Sequence, residues 1–327
     1  MASTEVAAEV SERGLRIRGF LRRLRGGDAI AHTIVLTFAA SILLLTILLV
    51  MELFRQSALS RHQFGWAFFF TRTWDPMAGD FGALPFIYGT VITSALALLM
   101  AVPLGLGAAI FLSEMAPPRI SDALTFVIEL LAAIPSVIYG LLGVFILVPI
   151  MRDAVGPALE QTLGFLPFFA GPSYGVGVLT ASAVLAIMIL PFIVSISREA
   201  LLAVPRDQRE ASLAVGATRW ETTSKVVVPF ARLGIIGSVF LALARALGET
   251  MAVTMVIGND PKIHASLLAP GYSIAAVIAN EFTEATADLH LSALVELGLV
   301  LFLLTILING LARVLILATT GRGTAHA

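Results

Sequence analysis

The sequence predicts an all-α integral membrane protein with six transmembrane helices. Of its 327 residues, 58% are hydrophobic and only 13% are charged, about half the charged share of an ordinary soluble domain. Mean hydropathy is +0.93. The few charges are also absent from stretches long enough to cross a bilayer core, which takes about 20 apolar residues for about 30 Å.

Uncharged runs over 29–51, 81–113, 130–151 and 161–197 place four spans at about 29–51, 85–112, 130–151 and 174–197, with the surplus left as loop. Two further apolar segments carry internal charge. Residues 233–257 contain Arg245 and Glu249, and residues 291–312 contain Glu296. The first run is too long for a signal-peptide core, and "MELFRQSALS" after it has no small-x-small cleavage site, so it reads as a retained anchor. Trp66, Trp74 and Tyr88 read as interfacial aromatics.

Orientation follows from Lys and Arg. A basic tail over 1–28, the loop 198–232 and the tail 319–327 fall on one side of six spans. That side outnumbers the other about three to one in Lys and Arg, which places both termini in the cytoplasm. The absence of cysteine excludes disulfides, thiolate metal sites and cysteine nucleophiles. The five histidines show no metal-ligand spacing, so the sequence predicts neither a metal site nor a catalytic residue. Gly171-Pro172-Ser173-Tyr174-Gly175 matches a nucleophile elbow by letter. It lacks the strand before it that the elbow requires, and reads as chance.

The loop 198–232 is amphipathic. Pro205 suits a helix start, and Gly216 sits where a helix C-cap wants a left-handed residue. Thr218-Arg219-Trp220-Glu221 matches a capping box that opens a second short helix. Helix, glycine turn and helix across one face read as a docking surface. Glu210-Ala211-Ser212, with Gly216 six residues after Glu210 and Val226-Val227-Val228-Pro229 following, resembles the EAA loop of ABC-importer permeases. Ser212 replaces an alanine of that pattern, and Val226 and Val228 replace isoleucine and leucine. The resemblance implies a type I importer permease architecture and an ATPase-coupling loop carried by Glu210, Ala211, Gly216 and Pro229. Neither Lys225 nor Lys262 follows a glycine, so the chain has no phosphate-binding loop for ATP. A cytoplasmic partner subunit is expected to bind it, and no cofactor is expected on this chain.

Arg245 lies near the middle of the fifth apolar segment, out of easy reach of water by snorkelling. A central Arg costs about 2.5–3.5 kcal/mol on insertion scales, which demands a partner or a wet cavity. Glu249, four residues on, is the expected partner, but Arg before Glu is the weaker order for helix stability. Ala242, Ala244, Ala246 and Gly248 around the pair allow close helix approach. Two readings stand: an internal ion pair that fixes helix position, or a guanidinium fork for an anion in transit, held by Glu249 when the path is empty. Glu129 and Glu296 read as interfacial or packing residues, and Pro103, Gly105, Gly107, Pro135 and Pro191 as sites of kinks or close packing.

"LARALGETMAVTMVIGN" at 243–259, "YGTVITSALALLMAVPLGLGAAIFLSEMAP" at 88–117 and "AAIPSVIYGLLG" at 132–143 resemble the PstC-type permease subunits of bacterial phosphate importers. The resemblance implies that Arg245 and Glu249 line the substrate pathway. It also implies cytoplasmic ATP-binding subunits, a second homologous permease in a heterodimer, an extracytoplasmic phosphate-binding protein and a lipid surround, with no nucleic acid. Another oxyanion such as sulfate or molybdate, the sister permease subunit and a secondary anion transporter remain alternatives. A membrane enzyme would need an acid/base cluster that the sequence lacks.

Overall fold

Six helices are long and apolar enough to cross a membrane: Ala31–Gln56, Leu84–Met115, Ser136–Leu163, Val178–Leu202, Arg219–Leu247 and Asp288–Val314. They belong to a computed structural model that describes residues 28–320, with the side chains of 31–314. The tails expected over 1–28 and 319–327 fall outside these residues except at their inner edges. Among the described residues there is no β-strand beyond two single bridges, Asp75 with Asp80 and Gly258 with Gly271.

The chain divides into a unit ending at Arg55 and a unit beginning at Gln56. In the first, helix α1 (Asp28–Gln56) is apolar all round, as a lipid-facing helix must be. The hydroxyls of Thr37, Ser41 and Thr46 donate to the carbonyls of Thr33, Phe38 and Ile42 at 2.8–2.9 Å. Each donor is thereby satisfied within its own helix, where lipid offers no partner.

The second unit is built around α7 (Val178–Leu202), the most buried of the six spans. It packs between α3 (Leu84–Ile110) and α10 (Val228–Leu247). Leu185, Ile189 and Ile193 of α7 meet Ala97 and Ala101 of α3 and Ala242 and Ala246 of α10. Small residues on the flanking helices let the backbones come close, which is how helices associate where water supplies no driving force. Inside this contact the Ser197 and Ser238 hydroxyls bond at 2.7 Å, both fully buried. Gly105 serves the same contact, since a Cβ there would lie 2.8 Å from Ile193 Cγ2, whereas Gly107 faces open space.

Three spans depart from their sequence-based bounds for physical reasons. The third was expected at 130–151, but α4 (Pro118–Ala132) ends short of Pro135, and α5 (Ser136–Leu142) begins a new helix. Pro135 at φ −59° and ψ 141° has no N–H to continue the ladder. The Tyr139 hydroxyl donates to the Leu131 carbonyl at 2.7 Å, satisfying a helix-end acceptor. Beyond Met151 the helix runs on through a wide turn at Met151–Val155 into α6 (Gly156–Leu163), and Arg152 and Asp153 in that turn pair with each other at 2.8 Å in the open. The fourth helix starts at Val178 rather than 174, since Gly175 at φ +83° stands in a left-handed conformation that a helix cannot include, and Ser173 lies in the loop before it. That hydroxyl donates to the Met151 carbonyl at 3.3 Å, so Ser173 is a structural group in a loop. The fifth span, expected at 233–257, is helical from Arg219 to Leu247 and then breaks. Pro229 cannot donate one turn back, and a wide π turn at Thr223–Val227 absorbs the defect.

Helix α2 (Ala58–Phe64) leads toward the N-terminal end of α3, where Phe68, Trp74, Phe81, Phe86 and Tyr272 form an aromatic cluster against α12 (Ile274–Glu281) and α13 (Asp288–Thr320). Trp74 is not interfacial. It is 8% exposed, and its indole N–H donates to Glu281 Oε2 at 2.9 Å. The same oxygen lies 3.1 Å from His290 Nε2. Trp66, by contrast, is 82% exposed. Glu296 is buried within α13, as the packing reading expects.

Gly89 marks the closest approach in this region. A Cβ there would sit 2.1 Å from the Tyr272 carbonyl oxygen, next to the bond in which the Ile274 N–H donates to Thr90 Oγ1 at 2.9 Å. Gly89→Ala is expected to destabilise the protein by about 1–3 kcal/mol through overpacking. Gly107→Ala, in open space, should be neutral or stabilising by about 0.5–1 kcal/mol. Thermal unfolding of the purified variants in detergent checks both, and equal midpoints for Gly89→Ala and the parent would refute the close-contact account.

Candidate functional site

Arg245 occupies the last turn of α10, and the helix stops two residues later. Gly248 adopts φ −94° and ψ 0°, Thr250 adopts φ −109° and ψ −63°, and α11 (Met251–Val256) follows. Glu249 lies in the break. Its Oε1 accepts the Ala252 N–H at 3.2 Å, satisfying a donor that the first turn of α11 would otherwise leave free.

The expected Arg245–Glu249 partnership is therefore not what the structure builds. None of the ion pairs among the described residues joins them. An i,i+4 contact requires continuous helix between the two residues. Gly248, the poorest helix former short of proline, together with the capping demand of α11, removes that continuity.

Arg245 instead stacks on an aromatic ring. Its guanidinium carbon lies 4.5 Å from the centroid of Phe192 on α7. Its Nε is buried without a hydrogen-bond partner. A cation–π contact is worth about 0.5–1 kcal/mol when exposed and about 2 when desolvated, below the cost of about 2.5–3.5 kcal/mol for a central Arg. The site holds a positive charge with donor capacity unspent. Phe192 was not legible as its partner, because Pro191-Phe192 lies more than fifty residues upstream on another helix and carries no motif.

Gly140 and Gly143 of the third span set the neighbouring wall. A Cβ on Gly140 would fall 2.6 Å from Met255 Sδ, and one on Gly143 2.8 Å from Val256 Cγ1. Without side chains at these positions α5 and its continuation lie directly on α11, which fixes the short helix beyond the break.

The loop residues form a second locus, at the C-terminal end of α7. Helix α8 (Arg206–Ala214) starts after Pro205 and carries Glu210 and Ala211, both exposed. Gly216 is left-handed at φ +91°. Its N–H donates to Leu213 O at 3.0 Å, and Ala217 N–H donates to Ser212 O at 3.3 Å, which closes the helix. Thr218 then caps α9 (Arg219–Thr222) through a complete capping box with Glu221. Leu213, Val215 and Trp220 are exposed beside Glu210, Val215 at 85%. Pro229, the second residue of α10 on the helix that continues from α9, is also exposed. The structure thus brings Glu210, Ala211 and Gly216 onto one surface and joins it by continuous helix through Pro229 to Arg245.

Residues 101–319 match the family model for the binding-protein-dependent transport system inner membrane component. The phosphate transport system permease protein PstC of Mesorhizobium japonicum is 48% identical over 308 residues, covering 92% of this chain and 94% of that protein. Its counterpart in Haemophilus influenzae is 46% identical over 283 residues, covering 85% and 90%. The probable PstC of Methanocaldococcus jannaschii is 39% identical over 253 residues, covering 76% and 80%. Among solved structures, a chain of a bacterial alginate ABC transporter in complex with an alginate-bound periplasmic protein aligns over 90% of this chain and 98% of its own, with a TM-score of 0.57 and 15% identity. That likeness concerns the fold alone, the six-helix architecture of type I ABC importer permeases. The chain is a multi-pass inner-membrane protein that belongs to the binding-protein-dependent transport permease family, among the phosphate-transport permeases of the PstC type.

Proposed function

We propose that this chain is a transmembrane subunit of an ATP-driven importer of inorganic phosphate and forms half of its translocation pathway. The observation that carries the reading is Arg245, a half-buried guanidinium whose buried Nε has no hydrogen-bond partner and which pairs with no carboxylate, held in the last helical turn before a break. Phosphate in transit supplies the missing acceptors. A guanidinium fork matches two phosphate oxygens, and such charge-assisted bonds are stronger than neutral ones. Phe192 aims the fork, and Glu249 keeps the break open by capping α11. Broken helices lie at membrane depth only where their free backbone groups face protein or a wet cavity.

The α8–α9 surface docks a separate ATP-binding subunit, with Glu210 as its exposed charge and Leu213, Val215 and Trp220 as apolar contacts. ATP is bound and hydrolysed there, and this chain carries no cofactor of its own. A homologous permease completes the pathway, and an extracytoplasmic binding protein delivers phosphate. The basic bias of the α8–α9 side supports an orientation with both termini in the cytoplasm.

Phosphate uptake in cells relying on this importer tests the site. Arg245→Gln removes a charged hydrogen-bonding group worth about 1.5–3 kcal/mol and should lower uptake about 10- to 100-fold, with the assembled complex intact. Sulfate competition in the same assay separates phosphate from other oxyanions. Phe192→Leu should lower uptake severalfold while Phe192→Tyr keeps it, since only the ring face is needed. Normal uptake in assembled Arg245→Gln would remove Arg245 from the pathway.

The docking turn is tested separately. Gly216→Ala forces a Cβ into a left-handed conformation at a cost of about 1–2 kcal/mol, with nothing nearby to clash. The expected result is faster amide exchange across 206–222 and weaker co-purification of the ATP-binding subunit. Unchanged exchange would show that the turn carries no strain.

A further inference from the structure

Helix α8 has no buried residue, so apolar packing does not hold it in place. Polar ties do, and they converge on Arg209, next to Glu210. The Arg209 guanidinium donates to the Leu201 carbonyl at 2.8 Å and to the Val204 carbonyl. These are acceptors at the C-terminal end of α7, where carbonyls lack helical partners. The same group pairs with Glu114 Oε1 at 2.9 Å. Glu114 belongs to the wide turn Phe111–Met115 that ends the second span. Its side chain is 12% exposed and that of Arg209 is 21% exposed, so water screens the pair less than a surface ion pair. On the other flank of α8, Ser212 bonds Thr222 at 3.0 Å, and Thr222 belongs to the helix that continues to Arg245. A second polar tie braces the same end: Arg198 donates to Ser121 Oγ at 3.2 Å, and Ser121 donates to the Leu112 carbonyl at 2.8 Å.

We infer that Arg209 and Glu114 form a transmission clamp: Arg209 fixes the docking helix to the end of the fourth span, and Glu114 carries its displacement to the second. The inference depends on the reading of α8 as the docking surface for an ATP-binding subunit. Arg209 and Glu114 are positioning residues, and neither touches the transported anion. With the clamp closed, a push on α8 moves the second, fourth and fifth spans as one body. With it open, α8 swings on the Ser212–Thr222 contact, and the push is lost before it reaches the second span.

The test is phosphate import per ATP hydrolysed, in proteoliposomes holding the full importer with its ATP-binding subunits, sister permease and binding protein. Glu114→Gln and Arg209→Gln should each lower that ratio about tenfold while the ATP-binding subunits stay bound and hydrolyse ATP. A role in folding alone would lower import and hydrolysis together and leave the ratio unchanged. The native chain has no cysteine, so the pair Glu114→Cys and Arg209→Cys offers a tie that does not depend on charge. One assembled preparation is measured before and after bridging with a short bifunctional methanethiosulfonate, and again after reduction. Bridging should restore the ratio and reduction should remove it. An unchanged ratio in the glutamine variants, or no recovery on bridging, would overturn the clamp. Failure of the ATP-binding subunits to co-purify with the unmodified chain would instead overturn the docking reading beneath it.

Discussion

A half-buried guanidinium without a carboxylate partner in a membrane span is the constraint around which the rest of this structure is arranged. Arg245 costs more to place there than its one aromatic contact returns. The protein surrounds it with small residues, a helix break and a ring, and not with a carboxylate. That choice has a chemical consequence. A buried Arg–Glu pair would already have spent its donors, and an arriving anion would have to break a bond made in a low dielectric, where such bonds are strong. Stacking on Phe192 steadies the charge while leaving its edge free.

Breaks in membrane helices create polar ends that lipid cannot satisfy, and the chain answers each from its own side chains. Glu249 caps the start of α11, Tyr139 satisfies the Leu131 carbonyl above Pro135, and Arg209 satisfies the end of α7. Only Glu249 of these three groups reads from sequence as a candidate for chemistry. Their first duty is to make irregular backbone tolerable at membrane depth. Glu249 performs this duty at the break that brings α10 to an end beside Arg245.

Sequence reading succeeded where the signal is local. The six spans follow from hydropathy, and the Gly216 turn and the Thr218–Glu221 capping box follow from residues within a few positions of one another. It failed where the deciding partner lies far along the chain. Trp74 looks interfacial until Glu281 is seen to accept its indole N–H, and Phe192 has no motif that links it to Arg245. The Arg209–Glu114 pair spans 95 positions. The fifth span was drawn too far for a different reason: hydropathy averages over Gly248 and cannot register that a backbone ladder ends there.

The two loci that sequence set apart, the loop and the intramembrane Arg, are one mechanical object. Continuous helix runs from Arg219 to Leu247, so α9 and Arg245 share a rigid rod with a wide turn at Thr223–Val227. Such a turn is a defect in the hydrogen-bond ladder, and bending there costs less than bending the regular helix around it. Pro229 makes the defect obligatory by withholding its N–H. The rod therefore has a soft point between the α8–α9 surface and Arg245. A push on α8 that travelled only through this rod would be partly absorbed at the turn. The coupling proposed above would need a second, stiffer route through the ends of the second and fourth spans, and the partly buried polar contacts of Arg209 lie where that route would begin.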